Sequence, residues 1–287
     1  MNVTRALTTK YDAKLSSGRV QTPTLALITS KEDERESFMG ELYWTIRANF
    51  GLFSASLYDG EEVAKIKQED EAKRIVAELE GSSAKVVSVD VSEKREEPPL
   101  AYDLTELQRD ANTLLSFSAK ETLDVLQRLY EVHKIVSYPR TDSRYITQDI
   151  VATIPSRLHA LRNTTFSTVS QMYEEQGYRE DLGRFVMESR VTDHHAIIPT
   201  EESVNISRLN DKERALWSLI ALRFLQVLSK DYIYDSVLLT LESGSNILKS
   251  RSTVKKQNGW KDMIAFADDA IKKHEIDELL LDDGPAT

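Results

Sequence analysis

Three short stretches gather polar side chains where a core pattern would place apolar ones: SSGRVQTPT at 16–24, SYPRTDSRY at 137–145 and TDHHAIIPT at 192–200. In the second, Tyr138 follows the apolar pair Ile135 and Val136, and Pro139 disfavours helix at Tyr138. Arg140, Thr141, Asp142 and Ser143 then crowd one short turn. A phenol with a pKa near 10 is only about 0.1% ionised at neutral pH, so as a nucleophile it needs a cation beside it or a base to take its proton. Arg140 is the nearest cation in sequence. A guanidinium is no base, but its planar fork clamps phosphate and stabilises transition-state charge. The same residues equally describe a tyrosine at the edge of a core, with Arg140 and Asp142 paired on the surface.

The His194–His195 pair invites a metal reading, but adjacent side chains point apart in most backbones. No cysteine, and no His, Asp or Glu at helical spacing, completes a ligand set. No metal site is expected here. A histidine that hydrogen-bonds a phosphate or moves a proton suits the pair better, beside the plainer reading of a buried structural histidine. In the first stretch, Gly18 permits close backbone approach, and Arg19 and Gln21 offer donors just ahead of a helix whose N-terminus favours anions. Taken alone, that is a weak phosphate site.

These residues need a scaffold. With 287 residues, 40% hydrophobic and 29% charged, the chain has enough length for about two domains and the composition of an ordered globular protein. No run approaches the ~18 apolar residues of a membrane helix. Zero cysteine excludes disulfides and thiolate chemistry. The net charge of −10 opposes a nucleic-acid partner at long range, but it is uneven. Residues 1–31 carry five cations against Asp12, whereas 268–283 carry seven acids against Lys272 and Lys273. Thr22 before Pro23 reads as a helix cap. Leu42, Trp44, Ile46 and Ala48 alternate with polar residues as in a strand, continued by Phe53, Ala55 and Leu57. Helices follow over EDEAKRIVAELE, LTELQRDANTLL and AKETLDVLQRLYEVHK, the last opened by Ser118-x-x-Glu121 and burying Leu123, Leu126, Leu129 and Tyr130. Asn210 with Glu213 opens another helix, after which YDSVLLTLES, a GSN turn and ILKSRSTV read as a hairpin. Strands therefore return after a helical block. The economical explanation is a helical domain over about 98–230, inserted into a β domain built from 41–97 and 231–263.

NVTRA at 2–6, SGRVQTPTLAL at 17–27, SYPRTDSRY at 137–145 and DHHAIIPT at 193–200 together resemble the motifs of type IA DNA topoisomerases, most closely the topoisomerase III branch. The resemblance implies an α+β fold, the multi-domain arch of a torus. Residues 1–40 and 264–287 would belong to a helical base, and 98–230 would be a winged-helix-like domain carrying the nucleophile. It implies that Tyr138 attacks a phosphodiester of single-stranded DNA and becomes linked to the 5′ phosphate, with no nucleotide cofactor. Arg140 would hold the phosphate, His194 would hydrogen-bond it, and Ser16, Ser17, Gly18, Arg19, Val20 and Gln21 would contact the DNA backbone, with Arg5 a weaker carry-over. Missing is the family's Toprim domain, whose acidic residues bind Mg2+. The resemblance thus implies a central piece of a longer protein that needs that domain to cleave efficiently. A helicase partner, no membrane and a cytoplasmic, nucleoid-associated location belong to the same expectation.

Other readings fit less well. A non-catalytic nucleic-acid-binding module would use the helix-turn-helix at 104–134, but the cations and acids of its second helix cancel. A relaxase needs two histidines separated by one residue, and a tyrosine recombinase places its tyrosine after its histidine; neither pattern occurs here.

Overall fold

The computed structural model describes residues 2–14 and 17–266, which separate into two units. The first comprises Met1–Lys85 and Glu242–Lys249. Its helices are α1 (Asn2–Tyr11), α2 (Gln21–Ser37) and α3 (Glu69–Leu79); its strands are β1 (Arg47–Asn49), β2 (Ser54–Asp59) and β3 (Glu62–Val63). The tip of a hairpin formed by β5 (Tyr232–Ser243) and β6 (Asn246–Gln257) completes it. All pairings here are antiparallel: Ala48 faces Ala55, Tyr58 faces Val63, and Leu57 faces Leu248. Ala55, Leu57 and Leu248 turn inward with Ile46, Ile66 and Ala72 of α3. Gly244 makes the hairpin turn at φ +59°, a left-handed conformation that glycine adopts without a Cβ clash.

Two local expectations change. α2 starts at Gln21 with Val20 at the cap position and no side-chain cap; Thr22 instead accepts the Gly18 N–H at 3.0 Å. The strand expected from Leu42 shrinks to Arg47–Asn49, because before it the partners change: Trp44 bonds both ways with Ile66, while the Ile46 carbonyl accepts the Leu57 N–H at 2.9 Å. Leu42 is exposed. Alternation announces burial of every second side chain, but a ladder also requires a neighbouring strand.

The second unit comprises Val86–Leu241 and Ser250–Thr287. There β6, β5 and β4 (Lys85–Glu96) lie side by side in that order. They accompany α4 (Leu104–Leu115), α5 (Ala119–Glu131), α6 (Gln148–Val151), α7 (Ile154–Ala160), α8 (Ser167–Gln176) and α9 (Asp211–Val227). α9 is apolar on nearly every face and is the centre of the core: Leu216, Trp217, Ile220, Ala221 and Leu225 are fully buried. Its start is a complete capping box, Asn210 accepting the Glu213 N–H at 3.0 Å and Glu213 accepting the Asn210 N–H at 3.0 Å. α4 and α5 form the expected helix-turn-helix, each capped by a side chain, Asp103 and Ser118. The buried stripe of α5 is Thr122, Val125, Leu126 and Leu129. Leu123 is half-buried and Tyr130 leaves the core, a correction whose cause appears below. Gly259 sits at φ +54° where a Cβ would lie 2.2 Å from the Asp231 carbonyl oxygen, so the chain passes β5 only because that residue is glycine.

Candidate active site around Tyr138

The SYPRTDSRY and HHAIIPT stretches run alongside each other, and the polar residues that made them conspicuous are what joins them. Ser137 Oγ donates to the Ala196 carbonyl at 2.8 Å and accepts the Ile198 N–H at 2.9 Å, while its own N–H donates to the Ile198 carbonyl at 2.9 Å. Thr141 Oγ1 donates to the His194 carbonyl at 3.0 Å and accepts the Ser143 N–H at 3.0 Å. Ser143 Oγ donates to the Arg190 carbonyl at 2.9 Å. Ser137, Thr141 and Ser143 are all buried, so each hydroxyl replaces a backbone partner that an irregular segment would otherwise leave unmatched.

That stitching sets Tyr138 against His194. Their rings stack with centroids 3.9 Å apart at 29°, and Tyr130 of α5 meets Tyr138 at right angles with centroids 5.6 Å apart. Tyr138 is half-buried and His194 exposed. Both line an open cavity of about 600 Å³ together with Tyr130, Lys134, Arg157, His195 and Thr200. Arg140 is exposed and makes no ion pair among the described residues, so the surface pairing with Asp142 does not form. It stands two residues from the nucleophile candidate with its fork available.

His195 behaves differently from its neighbour. Its Nδ1 lies 2.8 Å from the Ala196 carbonyl oxygen, which can only accept, so Nδ1 carries the proton and Nε2 is the bare nitrogen. Burial lowers its pKa from the ordinary histidine value. The Ala196 carbonyl opposes that shift, and the positive field of Arg157 reinforces it. Arg157 itself is buried: Nε donates to Thr153 Oγ1 at 2.8 Å, Nη1 to the Pro199 carbonyl at 2.5 Å, and Nη2 pairs with Glu201 at 2.9 Å. It thereby holds the strand that carries the histidines. Among the described residues no group of three His, Asp or Glu side chains is placed to hold a metal ion.

The remaining candidates lie in the first unit. Thr4 of NVTRA ties that motif to the next by accepting the Ser17 N–H at 3.0 Å and donating to the Ser17 carbonyl at 3.2 Å. Arg5, Arg19, Val20 and Gln21 are exposed, and Ser17 and Gly18 are half-buried. Ser16 lies outside the described residues. A Cβ on Gly18 would meet only Gln21, at ordinary contact distance, so packing within this chain does not demand a glycine there.

The sequence profile of the family described as DNA topoisomerase matches residues 1–283. The chain belongs to the type IA DNA topoisomerase family. Two relatives named DNA topoisomerase 3 are similar along it: that of Bacillus cereus (ATCC 14579) is 40% identical over 283 residues, 98% of this chain and 39% of the relative, and that of Bacillus subtilis (strain 168) is 41% identical over 270 residues, 94% and 37%. The chain therefore spans about two fifths of the length of these topoisomerases. The full-length topoisomerase I structure from Thermotoga maritima superposes with a TM-score of 0.65 at 26% identity, covering 88% of this chain and 40% of that one. The mixed helical and antiparallel-sheet architecture is thus a type IA topoisomerase fold.

Several residues of the site escaped the sequence reading. Tyr130 was assigned to the core because it follows Leu129; its offset from the Val125–Leu129 stripe is the signal that it faces away. Arg157 had one too: a guanidine set between the apolar residues Ile154 and Leu158 of α7.

Proposed function

We propose that Tyr138 is the nucleophile of a DNA transesterification. Its Oη attacks a phosphodiester of single-stranded DNA, a bond from phosphorus to Oη forms as the bond to the 3′ oxygen breaks, and the 3′ hydroxyl leaves with a proton. The phosphotyrosine keeps the bond energy, so the reverse attack reseals the strand after another has passed. The observation that carries this reading is the stack of Tyr138 on His194 at the mouth of an open cavity, in a member of this family. Because the two ring planes are nearly parallel, an in-plane imidazole N–H runs alongside the phenol instead of into it. His194 is therefore placed to donate to a phosphate oxygen on Tyr138, while Arg140 supplies the cation.

The exposed cations Arg5 and Arg19, with the residues Ser16, Ser17, Gly18, Val20 and Gln21 of the same motif, would hold the DNA backbone. Mg2+ and part of the proton transfer would come from a Toprim-type domain elsewhere in the longer polypeptide, and the working location would be the bacterial nucleoid. The division into 1–40, 41–97, 98–230, 231–263 and 264–287 belongs to the same reading; 267–287 lies outside the described residues. The helix-turn-helix alternative weakens, since Arg128 of its second helix is committed to Glu213, Nε to Oε1 at 2.6 Å.

The test is denaturing-gel detection of a covalent adduct on end-labelled single strands, using the full-length protein with Mg2+. An adduct on the 5′-phosphate side that disappears in Tyr138→Phe supports the assignment; an active Tyr138→Phe ends it.

A further inference from the structure

We infer that the cavity beside Tyr138 is a subsite for one nucleotide of single-stranded DNA, the one whose 5′ phosphate Tyr138 takes, with the Tyr130 ring stacking on its base. This rests on the transesterification reading above. A phosphorus bonded to Tyr138 Oη keeps its own sugar and base within one nucleotide of that ring, and the space Tyr138 lines is this cavity. At about 600 Å³ it falls in the range of sites that enclose small ligands.

Two groups of its wall are open to a ligand. Tyr130 is 37% exposed beside fully buried Leu129, its hydroxyl has no hydrogen-bond partner among the described residues, and the one aromatic ring it meets among them is that of Tyr138. An aromatic side chain left open in this way is a stacking platform, and every base offers it a π-face. Lys134, just beyond α5, takes the left-handed conformation, φ +59°, that closes a helix, with the Ile135 N–H donating to the Leu129 carbonyl at 3.1 Å, and this turns its side chain to the cavity wall. Its carbonyl accepts the Thr200 hydroxyl at 2.7 Å, which pins the end of α5 to the HHAIIPT segment. Its ammonium pairs with no carboxylate among the described residues and is free to meet a phosphate oxygen. Arg157 cannot play that part, because Thr153, Pro199 and Glu201 already hold its guanidinium. Glu131 on the rim repels phosphate, so the wall favours one stacked nucleotide over a continuous backbone track.

The test measures binding of 5′-phosphorylated single strands to the full 287-residue chain at low salt by fluorescence anisotropy. The strands are intact, abasic at the first nucleotide or abasic at the third. Removing the first base should weaken binding about tenfold, in keeping with the loss of one base–aromatic stack, and removing the third should not. Tyr130→Leu should weaken the intact strand about as much yet leave the first-position abasic strand unchanged, since both changes delete one contact. Tyr130→Phe should keep wild-type affinity. Losses that simply multiply, equal affinity for intact and first-position abasic strands, or no binding at all would overturn the subsite. Should Tyr130→Leu not fold, the abasic series on the native chain and Tyr130→Phe still decide. A Tyr138-dependent adduct in the full-length protein without this coupling overturns the subsite alone. Coupling at the first position without such an adduct overturns the transesterification reading and leaves a nucleotide site.

Discussion

Replacing Ser137 by alanine removes one oxygen from the seam that aligns Tyr138 with His194. Ser137 is 8% exposed and Ile198 is fully buried. After the change the Ala196 carbonyl keeps the His195 Nδ1–H, but the Ile198 N–H has lost its acceptor. An orphaned buried donor costs about 1–3 kcal/mol, and Ile198 is fully covered, so about 2 kcal/mol is expected. Urea denaturation measures it, with m of about 1–3 kcal/mol/M giving a midpoint shift of about 1 M at unchanged m. Trp217, fully buried in α9 against Phe166, reports on this unit once Trp44 and Trp260 are changed to phenylalanine. A shift below about 0.3 M would refute the reasoning, because Ile198 must then have another acceptor. In the full-length protein the same substitution should slow adduct formation, as Tyr138 loses its register with His194.

Tyr138→Phe should leave stability within about 0.5 kcal/mol of the native chain in the same urea experiment, since its hydroxyl has no hydrogen-bond partner among the described residues. Asn210→Ala, which removes the acceptor of the capping box, should cost about 1 kcal/mol by denaturation. The lowered pKa of His195 means that the unfolded chain binds a proton at a pH where the folded chain does not. Stability should therefore fall as pH drops from about 7 through the unfolded histidine value near 6.5 and on to the folded one, and urea midpoints of His195→Asn should fall less over that window.

The long elements were legible because their signals are local. Asn210 with Glu213 announced α9, and the Gly244 turn announced the β5–β6 hairpin. What was not legible depends on a partner distant in sequence. Nothing near Leu42 reveals that Trp44 meets Ile66 while Ile46 meets Leu57, so that no single neighbouring strand runs along this stretch. Tyr130 looked like core until α5 was placed beside the strand bearing Tyr138. The motifs themselves read correctly as places where polar groups accumulate, but not as to why, since a hydroxyl that binds substrate and one that binds backbone have the same signature in sequence.

That ambiguity has a physical resolution. Of the polar residues in SYPRTDSRY, those at 137, 141 and 143 are buried and bonded to distant carbonyls, whereas Arg140 and Asp142 are exposed and unbonded among the described residues. The segment bends at Pro139 and Arg140, and its side chains divide between two tasks: Ser137, Thr141 and Ser143, with Arg144 donating to the Ala101 carbonyl at 3.1 Å, hold the frame, while Arg140 and Asp142 face outward and Tyr138 is half-buried against its two ring partners. A nucleophile needs both conditions: a ring held to a fixed orientation so that little freedom is lost in the transition state, and a hydroxyl left without a partner so that phosphorus can approach it. Burying the whole segment would remove the second condition, and exposing it would remove the first. Dividing the segment between buried, bonded hydroxyls and exposed groups satisfies both, and for that reason the hydroxyls at 137 and 141 are as necessary to the site as the groups that would touch DNA.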